Sequence, residues 1–391
     1  MKILHVIDYF QPELGYQETF LAKEQKKQGH AVAVICSERY APILFKGRAS
    51  VAVLGKRLQE TGSFDFDGIQ VHRLKTLFEI NGRVWLQGLE TKIREFNPDV
   101  IHVHGIVTFT AIRVACLKKG KTQFRLLYDD HMVACASRNP LKYLYPLFRG
   151  TFLKLIEQQA DCLIGVTEST KEFMHVSYGF PLNKIKVIPL GVDHELFRFN
   201  PRQRQLCRGF LGLKDRDILI IYVGKLIPNK GPHVLLEAVC SLMSENENIF
   251  LLFLGGGQGE YVQQMRSRIE IQGVSSKILW LDAILNKDLP QYYCAADVGV
   301  WPKECSVSML DAMACNLPVI GSNIPAVKER LSFNNGLIYD ETKKEELTGK
   351  LRLLVNDKDL RAVLGANGRK VIEEQFNWQA INNNFLICYR N

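Results

Sequence analysis

The chain has 391 residues, of which 47% are apolar and 23% are charged, an ordinary balance for a globular protein. This balance excludes a disordered, collagen-like or coiled-coil chain, and the length predicts two domains. The net charge is +9, and residues 1–195 carry 26 Lys and Arg against 20 Asp and Glu, so the excess leans towards the N-terminal half. Such a mild excess fits either an ordinary surface or contact with an anionic partner.

The ten cysteines and the lack of a long apolar run predict a cytoplasmic protein. The cysteines form no Cys-x-x-Cys pair, so neither a zinc ribbon nor a thioredoxin-like redox site is indicated. Residues 1–8 are too short and too interrupted for a signal peptide, and no apolar run approaches the ~18 residues of a membrane span. We therefore expect a protein that does not cross a membrane.

Short apolar strands alternate with helical stretches along the chain, which predicts a parallel α/β fold. In the first half the expected strands are 3–7, 31–35, 100–104, 126–128, 163–166 and 185–188, and the expected helices are 18–28, 107–119 and 151–159. In the second half the strands are 218–223, 250–254, 278–281, 298–301 and 318–320, and the helices are 232–243, 259–270, 287–295 and 306–315. We interpret 188–193 and the polar stretch 198–205 as the connection between two doubly wound domains.

The segment 219–231 is the most informative part of the sequence. A buried strand leads into a loop that contains Lys225 and Lys230, and a helix begins near Pro232. Two ammonium groups beside a helix N-terminus suit a diphosphate ligand. A solvated turn with ordinary surface lysines is the alternative.

A second strand-loop-helix segment spans 300–320. The strand ends at Trp301, and the helix begins near Ser306 or Ser308, where the first-turn amides favour an anion. Ser308-x-x-Asp311 is a capping-box pattern. From the spacing alone, capping is a better explanation of Asp311 than a carboxylate that binds sugar hydroxyls.

Three weaker patterns point to structure more than to chemistry. Glycines between 255 and 259 allow close backbone approach to a ligand, but the acidic partner of a dinucleotide site is missing. His102 and His104 share one face of a strand, and since no third ligand is evident, hydrogen bonding is favoured over a zinc site. The Asp-x-Asp at 65–67 runs into a glycine and an alternating strand, which predicts a hairpin turn.

Several other classes of protein are excluded by their missing motifs. The chain has no Gly-x-Ser-x-Gly elbow, no phosphate-binding loop with its lysine and no kinase catalytic loop. The basic residues belong to no nucleic-acid-binding module, so we expect no nucleic-acid partner.

The ordered set of these segments resembles the retaining glycosyltransferases of family 4, which have the GT-B fold. The resemblance covers nearly the whole chain and rests on MKILHVIDYFQPELG, GHAVAVIC, PDVIHVHG, ADCLIGVTEST, KIKVIPLGVD, VGKLIPNKG, LFLGGGQGE and LDAMACNLPVIGS. It implies two Rossmann-like domains, each with a doubly wound parallel sheet, that face a central cleft. The implied boundaries are 1–190 for an acceptor-side domain and 194–375 for a donor-binding domain, with a last helix at 376–391 that returns to the first.

The resemblance also implies which residues would bind a nucleotide-diphosphate sugar, either a UDP- or a GDP-sugar. Gly15 lies in a loop that faces the donor phosphates in the family. Lys225 and Lys230 take the places of the basic pair that holds the diphosphate, although the first is usually Arg. The amides of Val307 and Ser308 would cap the distal phosphate.

The remaining active-site positions are less regular. His104 falls at the family's active-site histidine, and Asp311 falls where a Glu binds the nucleotide ribose. The usual two glutamates are separated by seven residues, whereas Glu304 and Asp311 are separated by six. Either Glu304 contacts the donor sugar from a shorter loop, or Lys303 takes the first acidic position and the contact changes. Asn316 replaces a usual Gly.

The implied reaction is a metal-independent hexosyl transfer with retention, without a cofactor, to a glycan or lipid-linked hydroxyl in cell-surface polysaccharide or glycolipid synthesis. We expect loops of the N-terminal domain, including Asp129, Asp130 and His131, to bind the acceptor. The basic and aromatic stretch 138–149 could rest on the anionic inner face of a membrane, which would make the enzyme peripheral. A partly buried loop and helix start is the alternative for this stretch.

Two other functions fit the same residues. A sugar-nucleotide 2-epimerase shares the GT-B architecture and needs no acceptor. A non-catalytic module that binds nucleotide sugars would explain the altered spacing of the acidic residues.

Overall fold

A computed structural model describes residues 1–46, 51, 54–120, 123–132, 145–257, 259–271, 273–303 and 306–390. The chain divides into two compact units, one of Met1–Leu190 with the C-terminal helix and one of Gly191–Asn377. Within the described ranges, no helix has both the length and the apolar character that crossing a bilayer requires.

The first unit contains ten strands and seven helices within the described residues. The strands are β1 (Lys2–Ile7), β2 (Ala31–Ser37), β3 (Gly62–Phe66), β4 (Ile69–Leu74), β5 (Thr76–Ile80), β6 (Arg83–Leu86), β7 (Val100–His104), β8 (Arg125–Asp130), β9 (Cys162–Gly165) and β10 (Ile185–Val187). The helices are α1 (Gln17–Lys27), α2 (Leu89–Phe96), α3 (Phe109–Lys119), α4 (Tyr145–Phe148), α5 (Phe152–Gln159), α6 (Glu168–Phe173) and the C-terminal α15 (Trp378–Arg390).

An eight-stranded sheet in the order β10-β9-β8-β7-β1-β2-β4-β3 forms the centre of the first unit. All pairs are parallel except the edge pair β3–β4. The predicted hairpin is confirmed there, since Asp67 and Gly68 both have positive φ and Gly68 donates its backbone N–H to Asp65 Oδ1 at 2.9 Å. A turn with two residues of positive φ matches the twist of a hairpin, which is why the Asp-Gly pair is suited to it.

Alternation along the strands separates the two faces of this sheet. On one face Leu4, Ile101 and Leu126 pack under α3 and α5. On the other face the apolar residues include Ile3 and Leu127, and α1 and α15 cover them. The last helix is therefore part of the core of the first unit.

The second unit contains six strands and eight helices within the described residues. The strands are β11 (Ile218–Val223), β12 (Ile249–Leu254), β13 (Ile278–Leu281), β14 (Val298–Trp301), β15 (Val319–Ser322) and β16 (Leu337–Tyr339). The helices are α7 (Pro201–Phe210), α8 (Pro232–Met243), α9 (Gly259–Ile271), α10 (Pro290–Ala295), α11 (Val307–Ala314), α12 (Pro325–Arg330), α13 (Lys344–Asn356) and α14 (Lys358–Val371).

The second sheet is entirely parallel, in the order β13-β12-β11-β14-β15-β16, and its strands are buried on both faces. One sequence interpretation is wrong here, because most of the polar stretch 198–205 belongs to α7 and not to an open connection. Asn200 caps this helix, accepting from the N–H groups of Arg202 and Gln203. Arg204 and Arg208 then anchor it on Asp297.

Candidate functional site

In both sheets the strand order reverses next to the first strand of the unit, between β1 and β7 and between β11 and β14. Ligands of doubly wound folds bind beyond the carboxyl ends of the strands at such a point. His104 is the last residue of β7, and Lys225 lies two residues after β11. The predicted site residues thus divide between two edges, one in each unit.

In the first unit, three neighbouring strands bring polar side chains to the face covered by α1 and α15. His5 pairs in register with His102, and His104 pairs in register with Asp129. All four residues are buried, and only His104 keeps a measurable exposure, of 8%. A cluster of charged and titratable groups therefore replaces the apolar core at this end of the sheet.

Hydrogen-bonding contacts connect these residues to α1. Nδ1 of His104 lies 2.8 Å from Oδ2 of Asp129, and Nε2 of His104 lies 2.9 Å from Nδ1 of His5. Nε2 of His5 lies 2.8 Å from Oε1 of Gln25, a buried residue of α1. The path from strand β8 to helix α1 is therefore continuous.

The C-terminal helix α15 closes the path into a loop. Gln25 donates from Nε2 to the Tyr389 hydroxyl at 3.1 Å, and that hydroxyl lies 2.8 Å from Nδ1 of His102. Nε2 of His102 lies 3.2 Å from Oδ2 of Asp129, off the direction of a straight hydrogen bond. We call His5, Gln25, His102, His104, Asp129 and Tyr389 the polar ring.

Burial and charge act differently on the members of the polar ring. Burial and the neighbouring histidines hold the pKa of His5 well below its ordinary value, and burial and His104 lower the pKa of His102 to about 4. Burial would also lower the pKa of His104, but the Asp129 carboxylate outweighs it and raises that pKa. Burial would raise the pKa of Asp129, but His104 and His102 hold it well below its ordinary value.

The structure supplies a third histidine that the sequence did not indicate. His5, His102 and His104 bring one ring nitrogen each within 4.8 Å of one another, as a metal site would require. Five of the six ring nitrogens hydrogen-bond to another member of the polar ring at 2.8–2.9 Å, and Nε2 of His102 lies 3.2 Å from Asp129 without a hydrogen bond. That hydrogen bonding and not a zinc ion holds the cluster stays a prediction.

The loop after β1 leads directly to this cluster. Gly15 has a left-handed backbone (φ 65°) and closes a short turn, its N–H donating to the Pro12 carbonyl oxygen. Helix α1 starts two residues later, and its first turn carries Gln17, which donates to Asp129 at 3.0 Å, and Glu18. Burial raises the pKa of Glu18 to about 7. Among the described residues, no side chain donates a hydrogen bond to the Glu18 carboxyl group.

The two residues predicted to bind the acceptor have different surroundings. Asp130 is buried and accepts from the backbone N–H groups of His131 and Met132 and from the Tyr178 hydroxyl at 2.8 Å. His131 is exposed. The carboxylate of Asp130 therefore shapes the turn after β8, and His131 faces solvent.

At the edge of the second unit, a lysine loop connects β11 to α8. Lys225 is exposed, Lys230 is partly buried, and Gly231 caps the helix with a left-handed backbone (φ 73°). A Cβ on Gly231 would lie 2.7 Å from Cγ of Lys303, so the stem of that lysine packs against the start of α8. Lys303 and Lys230 thus both flank one helix N-terminus.

The second helix at this edge, α11, begins at Val307, with Ser306 as its N-cap residue. Ser308 is therefore inside the helix, and the capping-box explanation of Asp311 is wrong. The Ser308 hydroxyl donates instead to the Val223 carbonyl oxygen at 2.9 Å and accepts from the Trp301 indole at 2.9 Å. It ties the start of α11 to the ends of β11 and β14.

Asp311 lies one turn further along α11. It is buried, and burial raises its pKa well above the ordinary value despite the nearby charge of Arg330. Among the described residues, no side chain or backbone N–H donates a hydrogen bond to its carboxylate. A buried carboxylate without a protein donor is costly, and hydroxyl groups of a ligand would relieve that cost.

The glycines between 255 and 259 have a structural explanation. A Cβ on Gly255 would lie 2.0 Å from the Gly224 carbonyl oxygen, so the loops after β11 and β12 are packed backbone to backbone. Beside them is a groove of about 760 Å³ whose lining includes Gly257, Arg266 and Asp282. The groove lies at the carboxyl ends of β11–β13.

Two sequence predictions fall outside the described residues. Glu304 is one of them, so the choice between Lys303 and Glu304 for the first acidic position stays open. Most of the stretch 138–149 is the other, since the description resumes at Tyr145.

Three members of the polar ring, His5, Gln25 and Tyr389, were not predicted as site residues from the sequence. A polar residue at a buried position of an otherwise apolar strand was the available signal for His5 in β1, as for Asp129 in β8. Gln25 and Tyr389 gave no signal, because each occupies an ordinary position on an amphipathic helix.

Two family models match the chain. The model described as Glycosyltransferase Family 4 matches residues 19–196, and the model described as Glycosyl transferases group 1 matches residues 203–371. Each covers slightly less than half of the chain, and together they cover most of it.

Curated relatives and solved structures are similar over long stretches. The chain is 27% identical over 320 residues to D-inositol 3-phosphate glycosyltransferase of Rhodococcus opacus, covering 80% of this chain and 66% of that protein. It is 25% identical over 249 residues to GDP-mannose-dependent alpha-(1-6)-phosphatidylinositol monomannoside mannosyltransferase of Mycobacterium tuberculosis, covering 61% and 63%. These matches span slightly less than two thirds of the relatives' own length.

The structure of Anabaena HepE in complex with UDP and glucose superimposes with a TM-score of 0.73 at 18% identity, covering 100% of both chains. A likeness at this identity shows the fold. Together with the two parallel sheets it confirms the predicted fold class, two Rossmann-like α/β domains of the GT-B type.

Proposed function

The chain belongs to the family 4, group 1 glycosyltransferases, and we propose that it transfers a hexosyl group from a nucleotide-diphosphate sugar to a hydroxyl acceptor. The observation that carries the proposal is the edge of the second unit. There a lysine loop, two helix N-termini and a buried carboxylate without a protein donor meet at the switch point of a parallel sheet.

In this proposal the donor-binding domain expected at 194–375, which lies within the second unit (Gly191–Asn377), binds the donor. Lys225 and Lys230 hold the diphosphate, helped by the amides of Val307 and Ser308 at the start of α11. Asp311 accepts hydrogen bonds from the ribose hydroxyls. UDP- and GDP-sugars both fit, and the HepE complex with UDP and the GDP-mannose-dependent relative represent the two choices.

The proposed mechanism is electrostatic. As the bond between the sugar and the diphosphate breaks, negative charge grows on the leaving phosphate, and ammonium groups and helix N-termini stabilise it. Removing one such group costs roughly 10²–10³ in rate. Because positive charge is already supplied by the lysines, we propose transfer that needs no metal ion. Retention of configuration is what the family implies. Unchanged activity in EDTA is the expected result.

We propose the first unit as the acceptor side, with a glycan or a lipid-linked hydroxyl as acceptor and with His104, Asp130 and His131 near it. The switch point of its sheet and the match to the family 4 model support this assignment. Product analysis with candidate acceptors tests it, and anomeric NMR of the product reports on retention.

A peripheral position on an anionic membrane is part of the proposal, with the basic stretch 138–149 as one contact. Within the described residues, α7 offers a second: Leu206 and Phe210 are 65% and 74% exposed, one turn apart, and Arg202 is exposed one turn before them. An exposed apolar stripe with flanking arginine suits an anionic lipid surface. Cosedimentation with anionic liposomes should be lost in Phe210→Ser, and an absence of binding at low salt contradicts this part.

A thermal-shift screen against UDP-, GDP- and ADP-sugars identifies the donor nucleotide. Transfer with acceptor and none without it supports the transferase. Conversion of the donor sugar without any acceptor would identify a 2-epimerase instead. Binding without hydrolysis or transfer would identify a non-catalytic module.

A further inference from the structure

We propose that the polar ring holds one extra proton and keeps His104 as an imidazolium paired with Asp129, so that His104 is a fixed positive charge and cannot act as a base. The inference concerns the state of this cluster in the protein without substrate. Only its consequence for transfer rests on the proposed function.

The six members of the ring make six contacts in a closed circle, and five of these are hydrogen bonds that each need one hydrogen between the two atoms. At the sixth contact, Nε2 of His102 lies 3.2 Å from Oδ2 of Asp129 without the geometry of a hydrogen bond. Three neutral histidines supply one hydrogen each, the tyrosine hydroxyl supplies one, and the glutamine amide directs one into the ring, whereas an ionised carboxylate supplies none. Five hydrogens fill the five bonds only if a bare lone pair of His102 faces the Asp129 oxygen, which is repulsive, so the ring takes up one more.

The orientation of Gln25 decides where the extra proton lies. Its carbonyl oxygen faces His5, so Nε2 of His5 carries a hydrogen and donates, and Nδ1 of His5 is left as an acceptor. Nε2 of His104 must then donate to His5, while Nδ1 of His104 donates to Asp129. His104 carries a hydrogen on both nitrogens and is an imidazolium.

The other half of the ring is consistent with this assignment. Gln25 donates to the Tyr389 oxygen, and the Tyr389 hydroxyl donates to Nδ1 of His102. Nε2 of His102 then carries a hydrogen towards Asp129 across the bent 3.2 Å contact. A lone pair at this nitrogen would instead face a carboxylate oxygen, which is repulsive.

The reverse orientation of the amide would move the charge to His102. That ring is completely buried and its pKa is lowered to about 4, whereas His104 keeps some exposure and its pKa is raised by Asp129. A buried carboxylate also needs a cation beside it, because an isolated buried charge is very costly. His104 provides that cation.

The charged and titratable groups around His104 come from every element packed on it. They are Asp129 of β8, Glu18 of α1, His5 of β1 and His102 of β7. Of these, Glu18 has a pKa near neutrality, raised by burial to about 7. Glu18 can therefore change its charge near pH 7 beside His104, while on this proposal His104 keeps both of its hydrogens.

The consequence for catalysis is a limit on the role of His104. Both of its ring nitrogens are committed to donating inside the protein, so no lone pair is left to take a proton from an acceptor hydroxyl. On the proposed function, His104 is a positioning residue that acts through its charge.

The test is NMR of the protein with ¹⁵N-labelled histidine, without substrate, between pH 5.5 and 8.5. The nine histidines give separate signals, and the signal lost in His104→Gln identifies His104. We expect both of its nitrogens to carry hydrogen throughout, while His5 and His102 each keep one unprotonated nitrogen. A neutral His104 at pH 7, or an imidazolium at His102, overturns the proposal.

Two variants provide matched controls. Asp129→Asn keeps the shape but removes the negative charge, and we expect His104 to become neutral at pH 7. Tyr389→Phe removes two ring contacts, those to Gln25 and His102, and leaves the charge pair, so the His104 imidazolium should persist. An unchanged His104 signal in Asp129→Asn overturns the pairing.

Two further measurements separate this proposal from others. Metal analysis of the purified protein should find no stoichiometric transition metal, and a bound ion lost in His5→Gln would show a metal site instead and overturn the proposal. Failure to find transferase activity would contradict the proposed function but not the proposed charge state of the polar ring, since the NMR result needs no substrate.

The kinetic test applies if transfer is found. Asp129→Asn should then lower kcat more than it raises KM, and a kcat equal to that of the wild type would contradict the role assigned to the charge.

Discussion

Two buried aspartates, one at the carboxyl edge of each sheet, differ in the partners that the protein gives them. In the first unit Asp129 is completely buried but accepts from His104 and Gln17 within the protein. In the second unit Asp311 is almost as buried, yet none of the described residues donates a hydrogen bond to it. A buried carboxylate that already accepts hydrogen bonds from the protein needs no ligand to offset the cost of its burial. A buried carboxylate without a protein donor is stabilised when a ligand donates to it.

The largest expected effect tests the ligand-dependent edge. Lys230→Ala removes a positive charge at the start of α8, and we expect kcat/KM for transfer to fall roughly 10²–10³-fold, as for the loss of one transition-state donor. The melting temperature should stay near that of the wild type. Lys230→Arg is the control and should recover part of the rate. Unchanged kcat/KM in the Ala variant would remove Lys230 from the donor site.

The next effect separates the two edges by stability. Asp129→Asn breaks a buried charge pair and should lower the free energy of unfolding by about 3–5 kcal/mol, measured by urea denaturation at pH 7. Asp311→Asn should not lower it, because no protein donor loses a partner. If both variants lose the same free energy of unfolding, Asp129 and Asp311 do not differ in the hydrogen bonds that the protein gives them.

Asp311 also predicts a pH dependence of stability. Its pKa in the folded protein is raised, so its favourable contribution is complete at low pH and is lost as the pH rises above about 4 towards the folded pKa. The stability of Asp311→Asn relative to wild type should therefore increase with pH.

The same variant tests the ribose contact. The affinity of Asp311→Asn for the donor nucleotide should fall about 10- to 100-fold for each hydrogen bond lost, measured by calorimetry. A variant that binds as tightly as the wild type would contradict the ribose role.

A smaller effect concerns the link between the polar ring and the last helix. Tyr389→Phe removes the hydroxyl that accepts from Gln25 and contacts His102, and leaving these groups unpaired should cost about 1–3 kcal/mol of stability. Tyr16→Phe is a matched control at a site with 43% exposure and should be neutral. If Tyr389→Phe lowers the free energy of unfolding as much as Asp129→Asn does, the hydroxyl and the charge pair do not contribute separately.

The last effect concerns Glu18 and is confined to one pH interval. Its folded pKa is about 7, so its contribution to stability is complete below about pH 4 and is lost as the pH rises to 7. The stability of Glu18→Gln relative to wild type should increase over this interval and then level off. A difference that does not change between pH 4 and pH 7 would show that Glu18 is ionised throughout.

Much of the fold could be predicted from local patterns. Apolar strands such as 100–104 and 218–223 stand out because a parallel sheet buries both faces of its strands. The turn at Asp67 and Gly68 was predicted because few residues tolerate two successive positive φ values. The stretch 198–205 was misinterpreted because its polar side chains hide a helix that arginine pairs hold on Asp297.

The site residues that lie close together in the sequence were predicted, whereas most of those that the fold brings together from distant positions were missed. Lys225 and Lys230 lie in one loop before one helix, so their chemistry can be inferred from spacing. The prediction that Ser308 and Asp311 form a capping box was wrong, because the helix begins one residue before Ser308, with Ser306 as its N-cap residue. The start of a helix depends on what its first residues contact, and here Ser308 contacts Trp301 and Val223.

By itself, the sequence determined two βα series, their parallel sheets, the lysine loop and the family. These follow from hydrophobic periodicity and from residues close together in the chain. Only the tertiary structure decided that His5, Asp129 and Tyr389 belong to one ring, because its contacts join strands and helices up to 364 positions apart. Protonation depends on such contacts, since a histidine's charge is set by the groups that surround it and not by its neighbours in sequence.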